Sequence, residues 1–251
     1  MVNLRIPKDV HVFDFFESFE KYFTSDQKAH GAFLGCFHSL KIARENSDLS
    51  AKYFFGITAE EEASTFIYQC LKKRNITTRK INNLYKHSDK NRISILAKLL
   101  HSHYFRDFDQ SFPNSSLHFE KFNDRFEIQK TFSIDKLYYF TVPDPLATVV
   151  TKEGDLFGEE QAIQETIDRQ IAMITDNSNL REKIDQMANL RNKCIYGAPA
   201  KRAKLNSASQ IEYFEQQCTA LIVIGMLIWQ SGKDALHLHR LVKRAEEKLW
   251  N

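Results

Sequence analysis

Leu190-Arg191-Asn192-Lys193-Cys194-Ile195-Tyr196-Gly197-Ala198-Pro199 closes a long amphipathic segment and sets an arginine on its apolar side. Leu180, Ile184, Met187 and Cys194 recur at the steps of one helical face, and Arg191 falls on the same stripe. A guanidinium stays charged under ordinary conditions and is seldom buried alone, so an acid, a phosphate or a subunit boundary is expected opposite it. Gly197 supplies a helix stop, and Pro199 prevents continuation.

Working outward, the 251 residues are 43% hydrophobic with only 8 Gly and 5 Pro, which predicts a core-forming, mainly helical chain. The 20 Phe and 9 Tyr suit a bulky core. Cys36, Cys70, Cys194 and Cys218 stand alone among apolar neighbours, without a CxxC, and read as reduced thiols of a cytoplasmic protein rather than a disulfide scaffold. The chain opens without a charged-then-apolar signal, and its longest apolar run, Leu221 to Trp229, is shorter than the roughly 20 residues of a bilayer span. Neither export nor membrane insertion is expected. His101 with His103, and His237 with His239, form HxH pairs, but on helices such pairs point nearly opposite ways, so no metal site is predicted.

Taken in order, Val12 to Phe23 predicts an amphipathic helix. Ser25 or Asp26 caps a second helix running to about Arg44. Asp48 or Ser50 caps a third, antiparallel to it, running to about Arg74. Within the third lies Glu60-Glu61-Glu62, with Glu62 at the rim of the buried stripe and the other two further round. Helical spacing resumes from Ile81 to Phe105. From Gln110 to Gly158 the pattern changes to a small hairpin or irregular insertion, built on Leu117 to Lys130 and Lys136 to Val142, with Leu146 to Val150 as a further edge strand. Gly158 to Thr175 is helical, and Asp176-Asn177-Ser178 caps the helix that ends in the opening stretch. A helix from Ser207 through Trp229, evenly hydrophobic, is predicted to be the most buried element, and Asp234 caps a last basic helix. The chain therefore reads as one mainly all-α domain over residues 1–251, an antiparallel four-helix bundle with a small, partly β insertion at about 110–157.

Net charge is only +3, yet between Lys72 and Lys98 nine bases, including Lys72, Lys73, Arg74, Arg79 and Lys80, stand against the single acid Asp89, a local +8. Such a cluster serves either as a nucleic-acid contact or as a solvated helix face.

Long antiparallel helices, a Glu-Glu turn early in the second, and an Arg-Asn-x-x-x-aromatic motif closing a later helix together resemble the HEPN superfamily. These are helical-bundle proteins of antiviral defence, toxin–antitoxin and CRISPR-associated systems. The resemblance covers Asp26 to Lys73 and Ser178 to Trp229. It implies an RNA-binding protein and a metal-independent endoribonuclease without cofactor, its site completed across a homodimer, with a nucleotidyltransferase as a conceivable partner protein. Arg191 would bind the scissile phosphate, Asn192 would bond to substrate or hold the arginine, and Glu61 and Glu62 would support it. Tyr196 stands where the family's motif carries His. A phenol, with an ordinary pKa of about 10, is a poor general base at neutral pH. Two alternatives therefore stay open: a catalytically inactive HEPN-like interaction or nucleotide-sensing module, and a plain brace in which Arg191 pairs with Glu61 or Glu62.

Overall fold

The computed structural model describes residues 10–77, 87–106, 115–134, 138–142, 145–146, 156–175, 179–186, 189, 209–231 and 235–250. Over the described residues the protein is mostly helical with one small antiparallel sheet. The helices are α1 (Val12–Glu17), α2 (Gln27–Glu45), α3 (Leu49–Lys73), α4 (His87–His101), α5 (Leu156–Thr175), α6 (Ser209–Gln230) and α7 (Leu236–Trp250). Residues 180–186 form a further short helical segment.

The first predicted helix breaks in two. Ser18 closes α1, its hydroxyl donating to the Phe15 carbonyl, and a 3-10 turn at Glu20–Tyr22 follows. The tighter winding brings Phe13, Phe16, Phe19, Tyr22 and Phe23 all inward, which one continuous helix would splay further apart. Asp26 caps α2 by accepting from the backbone of Lys28 and Ala29, and Asp48 caps α3 by accepting from Ser50 N–H. The short Asn46–Asp48 link makes α2 and α3 antiparallel neighbours.

α6 is the element against which α3 is laid. A Cβ built on Gly56 of α3 would lie 2.3 Å from the Phe214 ring of α6, and one on Gly225 of α6 would lie 2.5 Å from the Phe66 ring of α3. Each helix thus offers a glycine to the other's phenylalanine, which draws the backbones together. The order of these contacts, 56 with 214 and 66 with 225, makes α3 and α6 parallel. An all-antiparallel arrangement of neighbours was expected. No short loop joins these two helices, so nothing in their connection imposes opposite directions.

The stretch Ile211–Gln230 reaches the length of a membrane span at a mean hydropathy of 1.2, longer than the apolar run legible in the sequence. Leu221 to Ile228 within it are buried wherever a side chain is present, packed into the same core as α2, α3 and α4. That is the burial of a central core helix.

The insertion is a three-stranded meander: β1 (Ser116–Lys121), β2 (Phe126–Ile134) and β3 (Tyr138–Val142), paired in that order. It exceeds the simple hairpin expected; the proposed strand from Leu146 to Val150 lies mostly outside the described residues. Phe119 meets Phe15, Phe16 and Phe19 edge-on, and Phe126 meets Phe19, Tyr22 and Phe23. The sheet rests on the aromatic N-terminal segment through these contacts, each worth about 0.5–1.5 kcal/mol beyond area burial.

Candidate nucleic-acid interface

The acidic turn of α3 faces α4. Lys90, Ser94 and Lys98 recur at four-residue steps along one face of α4, and that face meets the carboxylates. Lys98 Nζ lies 2.6 Å and Ser94 Oγ 2.7 Å from Glu60 Oε1, while Lys90 Nζ lies 2.8 Å from Glu62 Oε1. Burial would raise the Glu60 carboxyl, but Lys98 and Ser94 outweigh it and hold the group below its ordinary value. Burial would lower Lys98, and Glu60 overturns that, leaving the ammonium above its usual range. The sequence reading placed Glu62 furthest inward. The order is different: Glu61 is the enclosed one, at 4% exposure, with Glu60 and Glu62 on either side. The apolar stripe points Glu62 inward, but packing of α4 also covers the polar face that carries Glu60 and Glu62.

These pairings also divide the +8 segment. Lys90 and Lys98 are spent on glutamates, and Arg92 donates to Asp89 and to the Leu249 carbonyl. Arg79 and Lys80, two of the predicted RNA contacts, lie outside the described residues. Lys72, Lys73 and Arg74 remain at the end of α3.

That end is well defined. Ile76 N–H bonds to the Leu71 carbonyl and Asn75 N–H to that of Lys72, with Asn75 at φ 57°. This is a Schellman stop, with asparagine taking the left-handed position and Ile76 buried beyond it. It turns the chain sharply after Arg74. Lys72 is exposed. Lys73 bonds to Ser25 Oγ at 2.8 Å and sits 3.4 Å from the centroid of the Trp229 ring. The Arg74 guanidinium has no carboxylate partner among the described residues, and its Nε is enclosed without a hydrogen bond there. Burial pulls Arg74 and Lys73 below their ordinary values.

Beside Arg74 opens a cleft of about 460 Å³, walled by helix ends on one side and the β1–β2 turn on the other. Tyr22, Trp229 and Gln230 line it with Arg74, Asp124, Arg125, Phe126 and Glu127. The β1–β2 turn and the 3-10 turn at Glu20–Tyr22 bring further cations. Arg125 stands 5.4 Å from the Phe122 ring, Lys121 stands 4.4 Å from the Phe19 ring, and Lys21 stands 4.9 Å from that of Tyr22. Burial and the neighbouring Lys21 lower Lys121. Sequence reasoning missed Lys121 and Arg125, which reach this face only through the docking of the sheet, and Lys21, which the 3-10 turn at Glu20–Tyr22 carries there. Their one local signal is that each adjoins or nearly adjoins an aromatic residue. The arrangement is basic side chains interleaved with rings, the chemistry that holds phosphates and bases together.

A second polar cluster lies elsewhere. A π-helical turn at Ser102–Arg106 follows α4 and presents His103 to His237 of α7, with their Nε2 atoms 2.7 Å apart. His103 Nδ1 lies 3.3 Å from Thr166 Oγ1 of α5, and Gln170 donates to Ser102 Oγ. Burial, then His237 and Arg169, push His103 down to about 3, so it is neutral near pH 7. One member of each HxH pair meets the other across three helices, a pairing that spacing within either helix does not reveal. Among the described residues, no three His, Cys, Asp or Glu side chains converge to hold a metal.

Arg191, Asn192 and Tyr196 lie outside the described residues, as do Asp176 to Ser178, expected to cap their helix. The described cap is Asn179, whose side chain accepts from Arg181 N–H at 2.8 Å. Ile184 on the segment that follows is buried, and its carbonyl accepts from Asn91 of α4, so the approach to the motif is docked on the core. No family model matches the chain, and no curated protein and no solved structure matches it either.

Proposed function

We propose that this protein binds RNA, with the end of α3 and the adjoining β1–β2 turn as its contact surface. The observation that carries the reading is the gathering of Lys21, Lys73, Arg74, Lys121 and Arg125, from three separate parts of the chain, around aromatic rings at one face. Burial disfavours charge on Lys73, Arg74 and Lys121, with Asp26 opposing it in part at Lys73, and a phosphate backbone would supply further counter-charge. Among the rings beside those cations, Phe122 is exposed and offers a base a surface to stack on.

In the same reading, α2, α3, α4 and α6 form the helical core of a HEPN-like protein. Glu60 and Glu62 then serve the fold, braced by Lys98 and Lys90. Cleavage would fall to Arg191, Asn192 and Tyr196, with the guanidinium stabilising charge on the scissile phosphate and the phenol protonating a leaving oxygen. A second copy of the chain would complete that site.

Labelled single-stranded RNA incubated with pure protein in EDTA tests both parts. Retention of the RNA that is lost in Lys73→Gln/Arg74→Gln supports binding, and metal-free cleavage lost in Arg191→Ala supports catalysis. A folded wild-type protein that retains no RNA sinks the proposal.

A further inference from the structure

We infer that the cleft between the end of α3 and the β1–β2 turn holds a single ribonucleotide, with its phosphate on Arg74 and its 2′,3′-diol on Asp124 and Glu127. This deepens the RNA-binding reading and rests on it only where the nucleotide is the end of a strand. A free nucleoside 5′-monophosphate and an RNA 3′ terminus share the same chemistry.

Three features of the cleft select that ligand. Its volume, about 460 Å³, lies in the range of small-molecule pockets, roughly 300–1,000 Å³, and suits one nucleotide better than a stretch of strand. Its two walls differ in character. The helix wall carries the Arg74 guanidinium, without a carboxylate partner among the described residues and therefore open to an anion. The turn wall carries two carboxylates, which accept hydrogen bonds and repel anions, with the Arg125 guanidinium between them paired to Glu127, so that Asp124 leaves the wall net negative. Asp124 is exposed, and Glu127 pairs with Arg125 at 3.2 Å, with no second ion-pair partner among the described residues. A bare phosphate would satisfy the first wall and be repelled by the second; a simple cation would meet the reverse. A nucleotide presents an anion at one end and two hydroxyl donors at the other, and between them a base can lie against the small exposed parts of Tyr22 and Trp229 that line the cleft.

The turn wall is also held in place before any ligand arrives. Tyr22 Oη donates to the Phe122 carbonyl at 2.6 Å, and Phe122 N–H donates to the Arg125 carbonyl at 2.8 Å. A fixed turn lowers the ordering cost of binding.

Trp229 reports on occupancy. Trp250 is the only other tryptophan, so Trp250→Phe isolates the Trp229 signal. Adenosine 5′-monophosphate is expected to change that fluorescence saturably, and its 2′,3′-dideoxy analogue to bind about a hundredfold more weakly, the loss of two hydrogen bonds to charged groups. Inorganic phosphate should give no saturable change. Asp124→Asn/Glu127→Gln should erase the difference between the two nucleotides, and Arg74→Gln should weaken both, with circular dichroism checking that each variant is folded. The second arm compares RNA decamers ending in a 2′,3′-diol or a dideoxy terminus. Preference for the diol identifies a strand end as the ligand. A nucleotide response without RNA binding identifies the free nucleotide and overturns the strand-binding reading. RNA binding indifferent to the terminus, with no response to the mononucleotide, overturns this inference and leaves that reading standing. Absence of all binding removes both.

Discussion

Gln230, the last residue of α6, uses its side-chain amide as a strand would: Ile128 N–H donates to its Oε1 at 2.6 Å, and its Nε2 donates to the Ile128 carbonyl at 3.1 Å. Ile128 exchanges no such pair with β3, whose register with β2 begins at Lys130. The amide therefore covers the open edge of β2 and ties the sheet to the core helix. The same residue precedes the end of α6 by nothing and follows Trp229 directly, so this bond fixes one wall of the cleft relative to the other. Gln230→Ala is expected to cost about 1–3 kcal/mol, since two backbone groups lose their partner together. Urea unfolding would read this, and Gln230→Glu, which keeps the acceptor but turns a carboxylate on the Ile128 carbonyl, should recover none of it.

The Glu60–Lys98 pair joins α3 to α4 in a largely enclosed place, with side chains 15% and 23% exposed. Removing one partner strands the other, so Glu60→Leu or Lys98→Met alone should each cost about 2–4 kcal/mol. The double variant should be distinctly more stable than the sum of the two losses implies. A thermal double-mutant cycle with no coupling would mean that the pair is solvated and contributes nothing to helix docking.

His103 makes stability depend on pH. Its folded-state pKa of about 3 lies below the ordinary 6.5, so the unfolded chain takes up a proton between those values that the folded chain refuses. Its contribution is complete above about 6.5 and is lost as pH falls toward 3. Between pH 7 and pH 5 the loss should be about 2 kcal/mol. Glu60, held below its ordinary value, adds loss of the same sign at lower pH. His103→Gln should flatten the pH 5–7 part of the stability profile, measured by urea unfolding, and leave the more acidic part in place.

Gly225 and Gly56 carry the close approach of α3 and α6. In Gly225→Ala the new methyl would lie 2.5 Å from the Phe66 ring, which is fully buried and has no direction of escape. About 2–3 kcal/mol of destabilisation is expected from overpacking, despite alanine's better helix propensity. Gly31, with open space around it, supplies the control: Gly31→Ala should stabilise α2 by up to about 1 kcal/mol.

Local rules carried much of the fold. Asp26 and Asp48 announced the starts of α2 and α3 because a capping carboxylate acts on backbone two or three residues away, within reach of sequence inspection. The even hydrophobicity of the stretch before Trp229 announced a core helix for the same reason. What sequence could not supply was every relation made by docking: the parallel course of α3 and α6, the turning of Lys90 and Lys98 toward glutamates, the meeting of His103 with His237. The interface divides along the same line. Lys73 and Arg74 were legible as the head of a basic run, but Lys121 and Arg125 join them only after the β1–β2 turn settles on the N-terminal aromatics, and Lys21 only through the 3-10 turn after α1.

The central claim is that the cations around this turn hold an RNA backbone, and its most direct measure is the salt dependence of binding. Anisotropy titrations of a fluorescent single-stranded RNA across a range of salt should give a log–log slope that falls by about 0.7 for each phosphate contact removed in Lys73→Gln, Arg74→Gln and Lys121→Gln. A folded wild-type protein with no measurable affinity, or a slope that these three substitutions leave unchanged, would contradict it.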